Sequence, residues 1–290
     1  FKLQQRIIDK TPIGDRSEKD SSPRKKSEKY LRAPDAKILV VDDNEMNLKV
    51  IKGLLKRSGI KPDLVLSGQE CLDRVKDHQY HIIFLDHMMP EMDGVETLHR
   101  LKSANLPDST AVIVLTANAI TGARDSYIKE GFRDYLTKPI EIDVLEQMIA
   151  KYLPTGMAMF EDPNEPEEVV KEKSKAEEVF SAQELNRFAQ ICPEINLEEG
   201  LSNCMEDPEF LREMMEEFIA NDKTSELEKL FESKDLKNYQ IQTHALKSTS
   251  QVIGAIEVSE IAKSLESLAK DQKLDESKHR ELIEKYQTLL

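Results

Sequence analysis

Tryptophan is absent from the 290 residues, and cysteine is scarce. The three cysteines, Cys71, Cys192 and Cys204, are odd in number and widely spaced. They form neither a disulfide framework nor a zinc-ligand pattern, which suits a reducing cytoplasm. No apolar run approaches the length of a membrane span, so direct membrane contact is not expected of this segment. Positive charge is outnumbered, with a formal net charge of -14. A nucleic-acid backbone needs a clustered cationic surface, which argues against nucleic acid as a direct partner. The chain opens on Phe1 without a signal peptide and reads as cut from something longer.

What is present is a soluble, helix-leaning composition, 33% charged and 39% hydrophobic, long enough for two ordinary domains. Two polar stretches divide it. Residues 15–36, "DRSEKDSSPRKKSEKYLRAPDA", and the acidic, proline-rich residues 154–180 have no apolar period and read as linkers. Between them, over 37–153, short apolar runs alternate with helix-length segments: "KILVV" (37–41), "PDLVLS" (62–67), "HIIFL" (81–85), "AVIVLT" (111–116) and "DYLTK" (134–138). Five strand–helix units in a row predict an α/β domain, a five-stranded parallel sheet covered by helices on both faces. The helix after the first run places Leu48, Ile51, Leu54 and Leu55 on one face and stops at Gly59; "SGQE" (67–70) opens the next with capping-box spacing. From 181 to 290 the pattern is all-α. "SAQE" (181–184) and "DPE" (207–209) mark helix starts, and a helical bundle containing an up-and-down four-helix core is the expected packing.

In an open parallel sheet, ligands bind beyond the carboxyl ends of the strands. Those ends carry Asp42 and Asp43, Asp86, Thr116 and Lys138. A lone Asp-Asp after a strand is usually a solvated turn, but four strand ends each finishing in a matched polar group are not readily explained by chance. Crowded carboxylates call for a hard divalent cation, and magnesium suits oxygen ligands and a phosphoryl group. Lys138 then offers a positive partner, Thr116 a hydrogen-bond donor, and one carboxylate can act as nucleophile to form an aspartyl-phosphate.

The stretches "VVDDNE", "FLDHMMPEMDG", "VLTANA" and "YLTKP" together resemble the signature set of response-regulator receiver domains, which have a flavodoxin-like (βα)5 fold. The resemblance implies that Asp86 accepts the phosphoryl group. Asp43 would bind Mg2+ directly, Asp42 would act through water or as a second ligand, and Met88 would supply a backbone carbonyl. Thr116 and Tyr135 match the family's switch pair. Lys138–Pro139 matches a bond that is usually cis in the family and fixes the direction of the lysine. His87, beside Asp86, is given no catalytic role, and His78, His81 and His99 lack metal-ligand spacing. Met88, Met89 and Met92 are read as loop packing.

The remaining chemistry is in "HALKSTSQVIGA", residues 244–255. At about 100° per residue, Lys247, Ser248 and Gln251 share a helix side with His244, while Leu246, Ser250 and Ile253 lie opposite. His244 should therefore be exposed. The helix alone does not separate a phosphoryl-carrying histidine from one merely displayed on a binding surface. The stretch resembles the histidine phosphotransfer (HPt) motif, with leucine at i+2, lysine at i+3 and glycine at i+10. It departs at i+4, where Ser248 replaces the usual glycine. The resemblance implies that His244 carries the phosphoryl group and that Lys247, Ser248 and Gln251 form a docking surface. His279 has no such neighbours and is given no role.

A receiver followed by an HPt module resembles the C-terminal part of bacterial hybrid sensor histidine kinases. Residues 1–14 resemble the end of a kinase ATPase domain, yet no dimerisation helix or glycine-rich ATP lid is present. The segment is thus expected to be a cytoplasmic phosphotransfer protein rather than a turnover enzyme, its parent a protein-histidine kinase whose membrane anchor, if any, lies elsewhere. The implied partners are the kinase core and a separate response regulator. Two rivals stand beside this reading. One is a response regulator with a non-phosphorylated helical output or docking domain. The other is a magnesium-dependent phosphohydrolase, disfavoured because Met88 occupies the place of its second aspartate.

Overall fold

The computed structural model describes residues 29–117, 123–161 and 192–290. Residues 1–14, the helix start at 181–184 and the greater part of both expected linkers lie outside them.

The five apolar runs form one parallel sheet. Its strands are β2 (Ile38–Val41), β3 (Asp63–Val65), β4 (Ile82–Asp86), β5 (Ala111–Thr116) and β6 (Asp134–Thr137), in the order β3-β2-β4-β5-β6. Side chains alternate across the pleat, so each central strand feeds two cores. Ile38, Val40, Ile82, Phe84, Ile113 and Leu115 enter one; Leu39, Val41, Ile83, Leu85, Val112 and Val114 enter the other. Strand order reverses between β2 and β4, which opens a crevice at their carboxyl ends, where Asp42 and Asp86 stand.

The crossover helices are α1 (Glu45–Lys56), α2 (Gly68–Asp77), α3 (Gly94–Ser103), α4 (Ala123–Glu130) and α5 (Ile142–Tyr152). The starts of α1, α2 and α3 are set by side-chain caps. Asn44 accepts from the N–H groups of Met46 and Asn47, Ser67 from Glu70, and Asp93 from Glu96. Each such cap is worth about 1 kcal/mol.

Both stretches read as linkers contribute an unexpected element. β1 (Tyr30–Arg32) pairs antiparallel with β7 (Met159–Glu161). Leu31 is fully buried, and its N–H donates to Glu146 Oε2 at 3.1 Å. Glu146 also accepts from Arg57 Nε at 2.8 Å and from Ser58 Oγ at 3.2 Å. The ribbon is three residues long and has one apolar anchor, so no local period announces it.

The C-terminal part contains α6 (Leu197–Asn203), α7 (Pro208–Ala220), α8 (Thr224–Glu232), α9 (Leu236–Val252), α10 (Ile256–Lys270) and α11 (Glu276–Leu289), with no strand among its described residues. Asp207 caps α7 ahead of Pro208, as the "DPE" signal predicts. Helix α9 is central, packing on α6, α7, α8 and α10. At its end Gly254 has φ of +82°, and a Cβ there would come within 2.1 Å of the Asn196 carbonyl oxygen. The glycine at i+10 from His244 therefore answers to both turn conformation and close approach.

The two parts are not separate beads. Helix α1 packs on α7 and α9, and the core beneath α1 and α5 runs on into the helical bundle. Met205 and Phe210 pack over Gly53, and Lys49 Nζ pairs with Glu217 Oε2 at 2.6 Å.

Candidate functional site

The strand-end residues converge. Lys138 Nζ, delivered by the end of β6, donates to Asp42 Oδ2 at 2.7 Å and to Asp86 Oδ1 at 2.8 Å. All three side chains are buried. Asp42 Oδ1 also accepts from Asn47 Nδ2 at 2.9 Å and from the Asn44 N–H at 3.0 Å. Ligand oxygens of Asp42, Asp43 and Asp86 lie within 4.8 Å of one another. This geometry is set by the crevice and by Gly94, where a Cβ would fall 2.3 Å from the Asp86 carbonyl oxygen.

The electrostatics follow from burying one cation among three acids. Burial pushes the Asp43 carboxyl up to about 7, with Asp42 and Asp86 adding to the rise and Lys138 opposing it. Asp42 is also raised, again chiefly by burial, against the pull of Lys138. Burial works against the Lys138 ammonium, but Asp42 and Asp86 outweigh it and hold the lysine above its ordinary value. Such a site favours an added positive charge. Three hard oxygen donors at this spacing fit a divalent cation.

Thr116 is buried at the end of β5, and its Oγ1 lies 3.0 Å from the Tyr127 hydroxyl. Tyr135 is half-buried on β6, its ring packed against the second core. The Lys138–Pro139 peptide is cis. Met88 is half-buried in the loop after β4, whereas Met89 and Met92 are buried apolar packing. His87 lies edge-on to Tyr127, with ring centroids 5.4 Å apart.

His244 differs from expectation in one respect: it is only 5% exposed. Helix geometry does turn it away from Leu246, but the face it occupies is covered by the sheet domain. The proximity registers at His87, whose pKa is lowered chiefly by burial, against Asp86 and Asp93, and lowered further by the fields of His244 and Lys270. A cavity of about 270 Å³ separates Asn47, Ala117 and Lys138 on one side from Lys247, Ser248 and Gln251 on the other. Ser248 is buried there, its Oγ bonded back to the His244 carbonyl at 3.3 Å.

Glu266, on α10, completes this half of the site. Its Oε1 lies 2.8 Å from His244 Nδ1, and its Oε2 takes the Lys247 ammonium. Burial works against the Glu266 carboxylate, but the hydrogen bond from His244 and the Lys247 ammonium outweigh it and hold its pKa down at about 2. An ionised carboxylate only accepts, so His244 Nδ1 carries the proton. Nε2 is then the free nitrogen; it is enclosed and has no hydrogen-bond partner. Lys247 is lowered by its burial, against the pull of Glu266. Glu266, Asn47 and Tyr127 were not indicated by the sequence. Only Asn47 has a local signal, two residues beyond "VVDDNE".

Two domain families match the chain. The response regulator receiver domain family matches residues 38–150, and the Hpt domain family matches residues 209–290. The chain therefore carries a receiver domain followed by an Hpt domain, the pair used in two-component phosphorelay signalling. Over 117 residues it is 34% identical to the signal transduction histidine-protein kinase BarA of Escherichia coli K12, covering 40% of this chain and 13% of that protein. Over 235 residues it is 24% identical to the aerobic respiration control sensor protein ArcB of the same strain, covering 81% of this chain and 28% of that protein. The chain thus spans less than a third of either relative. Among solved structures, the receiver domain of a Francisella response regulator is 34% identical, with a TM-score of 0.38, over 41% of this chain and 96% of that one. No helix among the described residues is long and apolar enough to cross a membrane.

Proposed function

We propose that the segment is one station of a hybrid-kinase phosphorelay: Asp86 accepts a phosphoryl group from a kinase phosphohistidine and exchanges it with His244, which serves a separate response regulator. The observation that carries this reading is the His244 ring, with Nδ1 tied to an ionised carboxylate and Nε2 enclosed and unpartnered beside the domain that holds Asp86.

Asp42, Asp43 and Asp86, with the Met88 carbonyl, would hold a magnesium ion. Bound there, it would neutralise charge on the incoming phosphoryl group. An Asp86 carboxylate oxygen attacks phosphorus; the P–O bond forms as the donor's P–N bond breaks. Lys138 keeps an ammonium at the reacting oxygen, and Thr116 supplies a hydroxyl donor. Thr116 and Tyr135 act as the switch pair. In the second step the Nε2 lone pair of His244 attacks the phosphorus. The P–N bond forms, the P–O bond breaks, and the Asp86 carboxylate is regenerated. Positive charge develops on the imidazole ring, and Glu266 meets it through Nδ1–H. No proton has to leave the ring.

Ser248 fits beneath the docked receiver because its hydroxyl is folded back onto its own helix. Since the same face is covered, a second receiver reaches His244 only after the first has left it. The two acceptors therefore compete for Lys247, Ser248 and Gln251.

The test uses radiolabelled acetyl phosphate with Mg2+ on the full segment. A base-labile aspartyl label should appear first, followed by an acid-labile histidine label. Asp86→Asn should lose both, and His244→Gln only the second. Efficient histidine labelling in Asp86→Asn would show that the proposed order is wrong.

A further inference from the structure

The hydroxyl that meets Thr116 belongs to Tyr127 on α4, at 3.0 Å, and Tyr127 has no place in the phosphoryl exchange described above. Its ring is held from two sides. His87 stands edge-on at 5.4 Å and Phe132 edge-on at 5.9 Å, with interplanar angles of 74° and 89°. A phenol fixed in this way keeps its oxygen in one place, and the Asp86 charge reaches it. The flanking residues also differ in origin: His87 follows the acceptor aspartate directly, whereas Phe132 precedes β6.

A threonine hydroxyl has a single proton to donate. If it goes to the Tyr127 oxygen, it cannot at the same time go to a phosphoryl oxygen on Asp86. We propose that Thr116 is the donor in this pair and that Tyr127 is a positioning residue holding its hydroxyl in the resting state, so that phosphorylation of Asp86 exchanges a Thr116–Tyr127 bond for a Thr116–phosphoryl bond. Tyr127 thereby weakens the phosphorylated state and eases departure of the group to His244. This proposal rests on the reading of Asp86 as phosphoryl acceptor. It places one resting partner of Thr116 on α4, separately from any later movement of Tyr135.

The test is calorimetric titration of the full segment with beryllium fluoride in the presence of Mg2+, a stable mimic of the phosphoryl group on an aspartate. Tyr127→Phe keeps the ring between His87 and Phe132 and removes only the hydroxyl. It should bind the mimic about 5-fold more tightly, the equivalent of the roughly 1 kcal/mol net worth of a neutral hydrogen bond. In a Thr116→Val background the same change should have no effect, because the bond is already gone. Unchanged or weaker binding by Tyr127→Phe, or an equal gain with Thr116→Val, would overturn the proposal while leaving Asp86 as acceptor. Failure of the unaltered segment to bind the mimic would overturn both.

Discussion

Replacing Glu266 with glutamine should uncouple the histidine from its chemistry while leaving the fold and the aspartate half intact. The carboxylate bridges His244 Nδ1 and Lys247, and its pKa falls from 4.5 to about 2. That gap, 4.5 minus about 2, corresponds to about 3 kcal/mol in favour of the ionised form at 1.36 kcal/mol per unit. The neutral amide forfeits most of it. It also accepts or donates with equal ease, so Nδ1 is no longer bound to keep the proton and Nε2 is free for only part of the time. Charge-assisted hydrogen bonds are worth roughly 1.5–3 kcal/mol, so transfer from phospho-Asp86 to His244 should slow about 10- to 100-fold. The assay follows loss of the aspartyl label and gain of the histidine label by quenched-flow, with the rate of Asp86 labelling as internal control. Transfer at the unaltered rate, with normal Asp86 labelling, would refute the role given to Glu266. Because the folded pKa lies below the unfolded one, the stabilisation from this carboxylate is complete above about pH 4.5 and lost as pH falls toward 2.

Gly94→Ala should impair Asp86 labelling and lower stability by about 1–3 kcal/mol, since its Cβ would sit 2.3 Å from the Asp86 carbonyl oxygen; labelling kinetics and thermal melts check this. Lys49→Glu sets a like charge against Glu217 and should slow transfer by up to about 5-fold, with Glu217→Lys restoring it in the double variant. His279 is buried against Phe231, and its Nδ1 pairs with the Tyr239 hydroxyl at 2.8 Å. Burial lowers its pKa below 6.5, with Glu228 opposing, so the unfolded chain takes up a proton that the folded chain refuses. Its stabilisation is therefore complete above 6.5 and lost as pH falls through the folded value. His279→Gln should flatten the fall in stability between about pH 7 and 5, measured by urea unfolding.

The residues legible in the sequence are those whose position follows from chain order alone. Asp42, Asp86, Thr116 and Lys138 each close or follow an apolar strand, and parallel strands in one sheet deliver their ends to one edge. Caps such as Ser67 and Asp207 are equally local. Glu266 was not legible because it reaches His244 from the next helix, 22 residues on, and only the α9–α10 packing brings them together. Tyr127 lies on α4, where nothing local points its hydroxyl at β5. Burial of His244 comes from a different domain, so helix geometry gave its orientation correctly and its exposure incorrectly. The β1–β7 ribbon pairs distant residues in composition typical of a linker, Tyr30 and Glu161 lying 131 apart.

If Asp86 and His244 exchange the phosphoryl group within one chain, the rate of transfer is independent of protein concentration. After Asp86 is labelled and the donor removed, the label should reach His244 with a first-order rate constant that is unchanged over a hundredfold range of protein concentration. An equimolar mixture of Asp86→Asn and His244→Gln chains should transfer far more slowly than the unaltered segment. A rate that rises in proportion to concentration, or a mixture as fast as the unaltered chain, would show that transfer runs between chains instead.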